Sequence, residues 1–282
     1  MNEHAPRYLC VCADDFGMTE GINAAVLELA GRKISATSCM VRRDAWAAGL
    51  RGLRDIDPSC LDVGLHLDLS PPPEGRLAEP GLGGLIARSH LGLLRPSAVR
   101  AEIRGQLARF EDGLGRPPAF VDGHRHVHQL PVVVDMLTEE IASRYGAAAP
   151  WLRSTAPPAP RAIAPTKSDI VFALGGARLL ELAARRGIPT SRALLGIYDF
   201  TGTADVYRER LRQWIDGCRT GDVVVCHPSL GDAPWVPHGP ARRDEYTVLS
   251  TIAFPMEMKS GAVFLRPLSH LWRSRADDPV HA

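Results

Sequence analysis

Four strand-length apolar runs in this chain each end on acids or imidazoles, and that repetition restricts the fold more than any other feature. The passages are YLCVCADDFG, ending at Gly17, LDVGLHLDLS, ending at Ser70, AFVDGHRHVHQLP, ending at Pro131, and GDVVVCHPSLGD, ending at Asp232. In open or closed parallel sheets, loops of different origin converge at the carboxyl ends of the strands while helices cover the faces. Polar residues at all four ends therefore read as one site. Carboxylates and imidazoles brought together there make a divalent-metal hydrolytic centre.

Strand and helix patterns alternate along the chain, which favours parallel α/β construction. Strands are expected at 8–13, 34–41, 61–67, around PPAFVD, at 151–153, 193–198 and 222–226. Helices are expected at 19–32, with Thr19 as a cap, and at 45–54, 97–111, 131–145, 173–186 and 203–219. Pro131 is expected to open its helix. About seven strand–helix units result, which suits a TIM-barrel-like, irregular or incomplete (β/α) barrel forming a single domain over 1–282. Residues 70–97 are a long Pro/Gly-rich excursion in which GLGG near Leu82 reads as a turn, and 155–165 reads as a loop over the barrel mouth. The segments 246–252 and 263–267 carry no clear pattern.

A length of 282 residues buries a substantial core as one α/β unit. The formal charge of +1 leaves no basic footprint, so nucleic acid is not an expected partner. The six cysteines lie mostly inside apolar runs without a CxxC pair, as buried thiols do in a cytoplasmic chain. The start MNEHAPR does not resemble a cleavable signal, and no apolar stretch is long enough to span a bilayer. Peripheral contact with the inner face of a membrane needs no such span. No heptad pattern specifies an oligomer, although a homo-oligomer is compatible with the sequence. GxSxG, Walker, GxGxxG and HExxH motifs are all absent, which removes the main supports for serine-hydrolase, P-loop and dinucleotide readings.

Adjacent Asp14 and Asp15 point in different directions if strand geometry persists, so one can hold a cation while the other serves as a base. Either could instead cap the helix that follows. His66 shares the polar parity of its strand end with Asp68, placing the imidazole as a ligand and Asp68 as a group that orients a neighbour. His124, His126 and His128 face one way if extended, whereas His124 and His128 approach each other if the chain turns; either geometry puts one or two nitrogens on a metal. His227 precedes Pro228, which biases it toward extended backbone, and its imidazole can protonate a leaving amine or support an oxyanion. Arg153 can bind a substrate oxygen or lock a catalytic carboxylate through its two-pronged guanidinium.

ADDFG, GLHLDL, DGHRHVH and VVCHPSLGD together resemble the YdjC-like carbohydrate deacetylases, including the chitooligosaccharide deacetylases, over about residues 8–250. Their wording is most similar to the hopanoid-biosynthesis branch, HpnK. The resemblance implies a TIM-barrel-like fold and metal-dependent removal of an N-acetyl group from an amino sugar, free or on a glycolipid. It implies Asp15, His66 and His124 as metal ligands, Asp14 as general base and His227 on the acid side. Arg125 stands where chitooligosaccharide-active relatives often have a histidine, which bears on the substrate class, since an arginine near the mouth can meet an anionic or polyhydroxyl group. Asp68, Arg125, His126, His128 and Arg153 are expected to bind substrate or to support the ligands from behind. The mixed oxygen and nitrogen donors suit Zn²⁺ or Mg²⁺ foremost, and also Mn²⁺ or Co²⁺. A metal-dependent hydrolase of another ester or amide and a non-catalytic sugar- or lipid-binding protein are the competing expectations.

Overall fold

The computed structural model describes residues 6–70, 81–159, 166–231, 233–258 and 261–272. Seven strands run parallel: β1 (Arg7–Phe16), β2 (Ala36–Cys39), β3 (Asp62–Leu67), β4 (Phe120–Gly123), β5 (Trp151–Leu152), β6 (Leu194–Leu195) and β7 (Val223–Cys226), in spatial order β5-β4-β3-β2-β1-β7-β6. The sheet curls until its edges meet. Leu152 N–H donates to Pro189, Ser191 N–H to Leu152 and Leu194 N–H to Ala156, so the chain entering β6 closes the seam against β5. The irregular, incomplete barrel expected from the sequence is the fold observed.

Side-chain alternation divides the core into two layers. On β1, Leu9, Val11 and Ala13 pack outward, while Cys10 and Cys12 join Ala36, Phe120, Trp151, Leu194, Val223 and Val225 in a second cluster within the barrel. Phe120 and Trp151 stack there with ring centroids 4.3 Å apart. Gly64 leaves room for that stack, since a Cβ on Gly64 would stand 2.5 Å from the Phe120 ring.

Helices α1 (Glu20–Leu29), α2 (Trp46–Arg54), α3 (Leu82–His90), α4 (Pro96–Leu114), α5 (Val133–Tyr145), α6 (Lys167–Ala173), α7 (Gly176–Arg185), α8 (Ala204–Gly217) and α9 (Gly239–Thr251) connect the strands. Helix α1 is representative. Thr19 caps it by accepting the Ile22 N–H, and Ile22, Ala25, Val26 and Leu29 turn one apolar stripe to the sheet. A short antiparallel pair, β8 (Met256–Met258) and β9 (Gly261–Leu265), adds β9 alongside Arg7–Leu9 of β1.

Four local expectations change. GLGG opens helix α3 rather than forming a turn, because Gly81 takes the N-cap and the apolar Leu82, Leu85 and Ile86 that follow pack against the core. Pro131 precedes α5 instead of opening it; Val132 is the N-cap, at φ 67°. The helix expected over 173–186 is found as α7, and an unexpected helix, α6, precedes it across a break where Gly175 adopts φ 148° against the Gln129 carbonyl. The unpatterned 246–252 stretch is the last half of α9. Residues 71–80 of the long excursion and 160–165 of the mouth loop lie outside the described residues.

Substituting Gly64→Ala should lower unfolding stability by about 1–3 kcal/mol through overpacking against Phe120. Urea unfolding should show this as a reduced midpoint at unchanged slope, and an unaltered midpoint would refute that packing role.

Candidate metal centre and active site

Strand geometry breaks where it matters most. The β1–β2 register shifts between Ala13 and Phe16, and Asp15 adopts φ 68°. The sequence reading sends the two aspartates apart if the strand continues; the bulge instead brings both carboxylates to one cavity. Asn23 secures the turn by accepting the Gly17 N–H at 2.6 Å and donating to the Ala45 carbonyl at 2.8 Å. Gly17 is required at φ 92°, since a Cβ would meet the Met40 carbonyl at 2.9 Å.

Asp15 is buried and faces two imidazoles. Its Oδ1 lies 3.1 Å from His124 Nδ1 and 3.4 Å from His66 Nε2, while its Oδ2 accepts Arg242 Nη2 at 2.6 Å. Donors on a tetrahedral ion at zinc-like bond lengths stand about 3.3 Å apart, so these separations fit a divalent cation. One nitrogen from each histidine and one Asp15 oxygen all lie within 4.8 Å of one another. Behind them, His66 Nδ1–H donates to Asp122 at 2.6 Å and stands 2.9 Å from Ser38 Oγ. A carboxylate behind a ligating histidine fixes its tautomer and leaves Nε2 free for the ion.

Asp14 sits beside this group without joining it, its Oδ2 being 3.9 Å from His66 Nε2. Arg153 is fully buried and grips Asp14 at both oxygens, 2.6 and 2.8 Å, with Asp122 Oδ2 a further 2.9 Å from Nη1. Burial alone raises the Asp14 pKa, yet Arg153 and His66 outweigh it and hold the carboxyl well below the usual range. Burial likewise disfavours charged His66, but Asp122 and Asp14 push its pKa up to about 10. Three buried carboxylates thus face two guanidiniums, and a proton on His66 supplies the third positive charge, a place that a bound cation would take over.

The three clustered histidines take separate jobs, neither of the two geometries considered from sequence. A 3₁₀ turn over His124–Gln129 is kinked by Arg125 at φ 53° and His126 at φ 61°. His124 turns to Asp15. His126 and Arg125 line the cavity, and His126 Nδ1 is buried without a hydrogen bond among the described residues. His128 is buried elsewhere, donating from Nε2 to the Arg153 carbonyl at 2.9 Å, and so supports the strand that carries Arg153. Asp68 also lies off the cavity: it holds Arg43 at 2.5 Å and accepts the Ser70 N–H.

His227 also lines the cavity, with 19% of its side chain exposed. Burial, assisted by Arg242 and Arg153 against the pull of Asp15 and Asp14, brings its pKa down to about 4. Its backbone N–H donates to Glu245, whose other oxygen accepts Tyr198 Oη–H at 2.7 Å. The cavity measures about 380 Å³, and its lining includes the apolar Leu82, Val171, Leu174, Ile197, Phe200 and Pro237 beside Lys167 and Tyr198. Five of the six described non-glycine residues with positive φ, namely Asp15, Arg125, His126, Phe200 and His238, line this one cavity. Such clustering of backbone strain marks functional sites. Arg242, Asp122, Glu245 and Tyr198 were not found from sequence. Only Asp122 left a signal, as the acid ending the FVD strand.

The chain belongs to the family of YdjC-like proteins, which matches residues 8–258. A chitooligosaccharide deacetylase of Serratia marcescens is 27% identical over 80% of this chain and 83% of its own length. A carbohydrate deacetylase of Mus musculus is 34% identical over 55% of this chain and 52% of its own, and a chitooligosaccharide deacetylase of Enterobacter sp. (strain 638) is 32% identical over 50% and 58%. The matches to the latter two thus span little more than half of those relatives. Among solved structures, an Enterococcus faecalis V583 protein proposed to cleave cellobiose phosphate superposes with a TM-score of 0.61 at 18% identity, covering 88% of this chain and 92% of that one. A protein of Agrobacterium tumefaciens C58 superposes at 0.53 with 10% identity, covering 94% and 89%. These two likenesses are of fold.

Glu245 supplies a test of the site's electrostatics. Burial raises its pKa from 4.5 to about 7 against the His227 N–H and Tyr198. Between those values the folded state holds a proton that the unfolded chain has released, so this residue makes stability fall as pH rises from about 4.5 to about 7. Glu245→Gln should remove that component. Parallel denaturation curves for wild type and variant across this window, with a constant difference, would contradict the assignment.

Proposed function

We propose that the protein is a metal-dependent N-deacetylase of an amino sugar, and that its substrate is an N-acetylglucosaminyl group carried by an apolar, hopanoid-like body. The observation that carries the reading is the Asp15–His66–His124 donor set beside an Arg153-gripped Asp14 in one barrel-mouth cavity. The activities named for the relatives support the acetylated carbohydrate. The apolar body is supported by the apolar part of the cavity lining, to which four excursions contribute Leu82, Val171 with Leu174, Ile197 with Phe200, and Pro237. Arg125, exposed at that mouth, suits the hydroxyls of a sugar.

Asp15 Oδ1, His66 Nε2 and His124 Nδ1 would hold the ion. When bound, it supplies polarisation of the acetamide carbonyl and a more acidic water. Asp14, ionised and oriented by Arg153, receives the proton of the attacking water; the guanidinium that aims this carboxylate also weakens it as a base, so position contributes more than basicity. Neutral His227 offers a ring N–H to the developing oxyanion. To serve as the acid it takes up a proton from solvent as negative charge builds beside it and passes that proton to the departing nitrogen, while Asp14 returns the proton it took to solvent. Water adds to the carbonyl, the C–N bond breaks, and acetate and the free amine leave.

Acetate release should be followed from an N-acetylglucosaminyl hopanoid and from diacetylchitobiose, with metal-loaded and chelated protein side by side. Metal-dependent release from the hopanoid alone supports the proposal, release from the disaccharide alone moves the substrate to free oligosaccharides, and release from neither defeats the deacetylase reading. His66→Ala should abolish both metal binding and turnover. Asp14→Ala should retain most of the metal while turnover falls at least about 100-fold. Full activity in both variants at equal metal content would sink these roles. Leu174→Gln should raise KM for the lipid-linked substrate and leave that for a disaccharide unchanged; an equal effect on both would remove the apolar wall from substrate recognition.

A further inference from the structure

Arg242 belongs to none of the four motifs, yet it touches the centre of the site. It lies in the first turns of α9, is 3% exposed, and is splinted on two sides: Nε donates to the Pro237 carbonyl at 3.2 Å and Nη2 to Asp15 Oδ2 at 2.6 Å. Its backbone is held as well, since its carbonyl accepts the Ser229 N–H from the chain leaving β7 and its N–H donates to the His238 carbonyl. The guanidinium cannot swing away without breaking this frame.

We infer that Arg242 is a positioning residue that keeps Asp15 a one-oxygen ligand and thereby holds coordination positions open; the inference rests on the metal-centre reading proposed above. A carboxylate can give a cation one oxygen or two. Two imidazoles and two Asp15 oxygens would fill a four-coordinate site, whereas catalysis needs a position left for water or substrate. Oδ2 is the oxygen that would close the site, and it is the one Arg242 occupies. Oδ1 is left to face His66 and His124. The same guanidinium places a fixed positive charge beside the cation, so Arg242 weakens metal binding while preserving the open geometry.

Cobalt(II) alone serves as the probe. X-ray absorption and a crystal structure of the Co²⁺-loaded wild type should show a single Asp15 oxygen on the ion with Arg242 on the other. An ion held by both oxygens overturns the inference while leaving the metal-centre reading standing; no ion at Asp15, His66 and His124 overturns both. In Arg242→Met the Co²⁺ should gain an oxygen ligand, its visible bands should weaken as coordination number rises, and it should bind at least about threefold tighter. Arg242→Lys, which keeps the charge and one donor, should return the spectrum toward wild type. Unchanged coordination and affinity in a folded Arg242→Met protein, or weaker binding there, would reduce Arg242 to a structural prop and refute the proposal.

Discussion

The buried ion pair between Arg153 and Asp14 is the constraint around which the rest of the barrel mouth is arranged. A guanidinium with no exposure is tolerable only if nearly every charge on it is answered. Asp14 answers it at two points and Asp122 at a third. Asp122 in turn fixes His66, and the Arg153 carbonyl fixes His128. Strands β1, β3, β4 and the chain leaving β5 are therefore tied at their carboxyl ends by charge as well as by the sheet. Replacing Arg153 with an apolar residue would leave Asp14 and Asp122 buried without their guanidinium and would also remove the group that aims Asp14.

That arrangement explains how far the sequence could be read. Asp14, Asp15, His66, His124, His126 and His227 all line one cavity, because strand parity and position at strand ends are local properties that a single sequence displays. The barrel was legible for the same reason. The bulge at Asp14–Asp15 was not, since a register shift depends on what β2 offers opposite, which no local pattern encodes. Arg242 and Glu245 were invisible for a different reason. They reach the site from α9, more than 200 residues from Asp15, and in a helix with polar residues on several sides an arginine that turns inward looks like one that faces water. His128 and Asp68 show the converse: histidine clustering and strand parity placed them near the chemistry, but alternation along a short kinked segment decides which side chain enters the cavity.

Strain and charge are concentrated at the same end of the barrel, and this has a mechanical consequence. The barrel interior is filled by Cys10, Cys12, Phe120, Trp151 and Val223, an apolar layer in which the Trp151 indole N–H donates to Asp62 at 3.2 Å. The upper end holds left-handed Asp15, Arg125, His126, Phe200 and His238 together with the buried ions. Backbone in that region costs roughly 1–3 kcal/mol for each residue so held, and only neighbours that over-determine it can keep it there. Phe200 shows how: its ring stacks on His238 at 4.3 Å and meets His227 edge-on at 5.1 Å. Strained residues are thus braced against one another across separate loops. The seam between β5 and β6, by contrast, is carried by a few backbone hydrogen bonds rather than a long ladder. Relaxing one loop would therefore release both the position of His227 and the fit of the cavity wall. The geometry that prepares the chemistry is the same geometry that joins the last loops to the first strand.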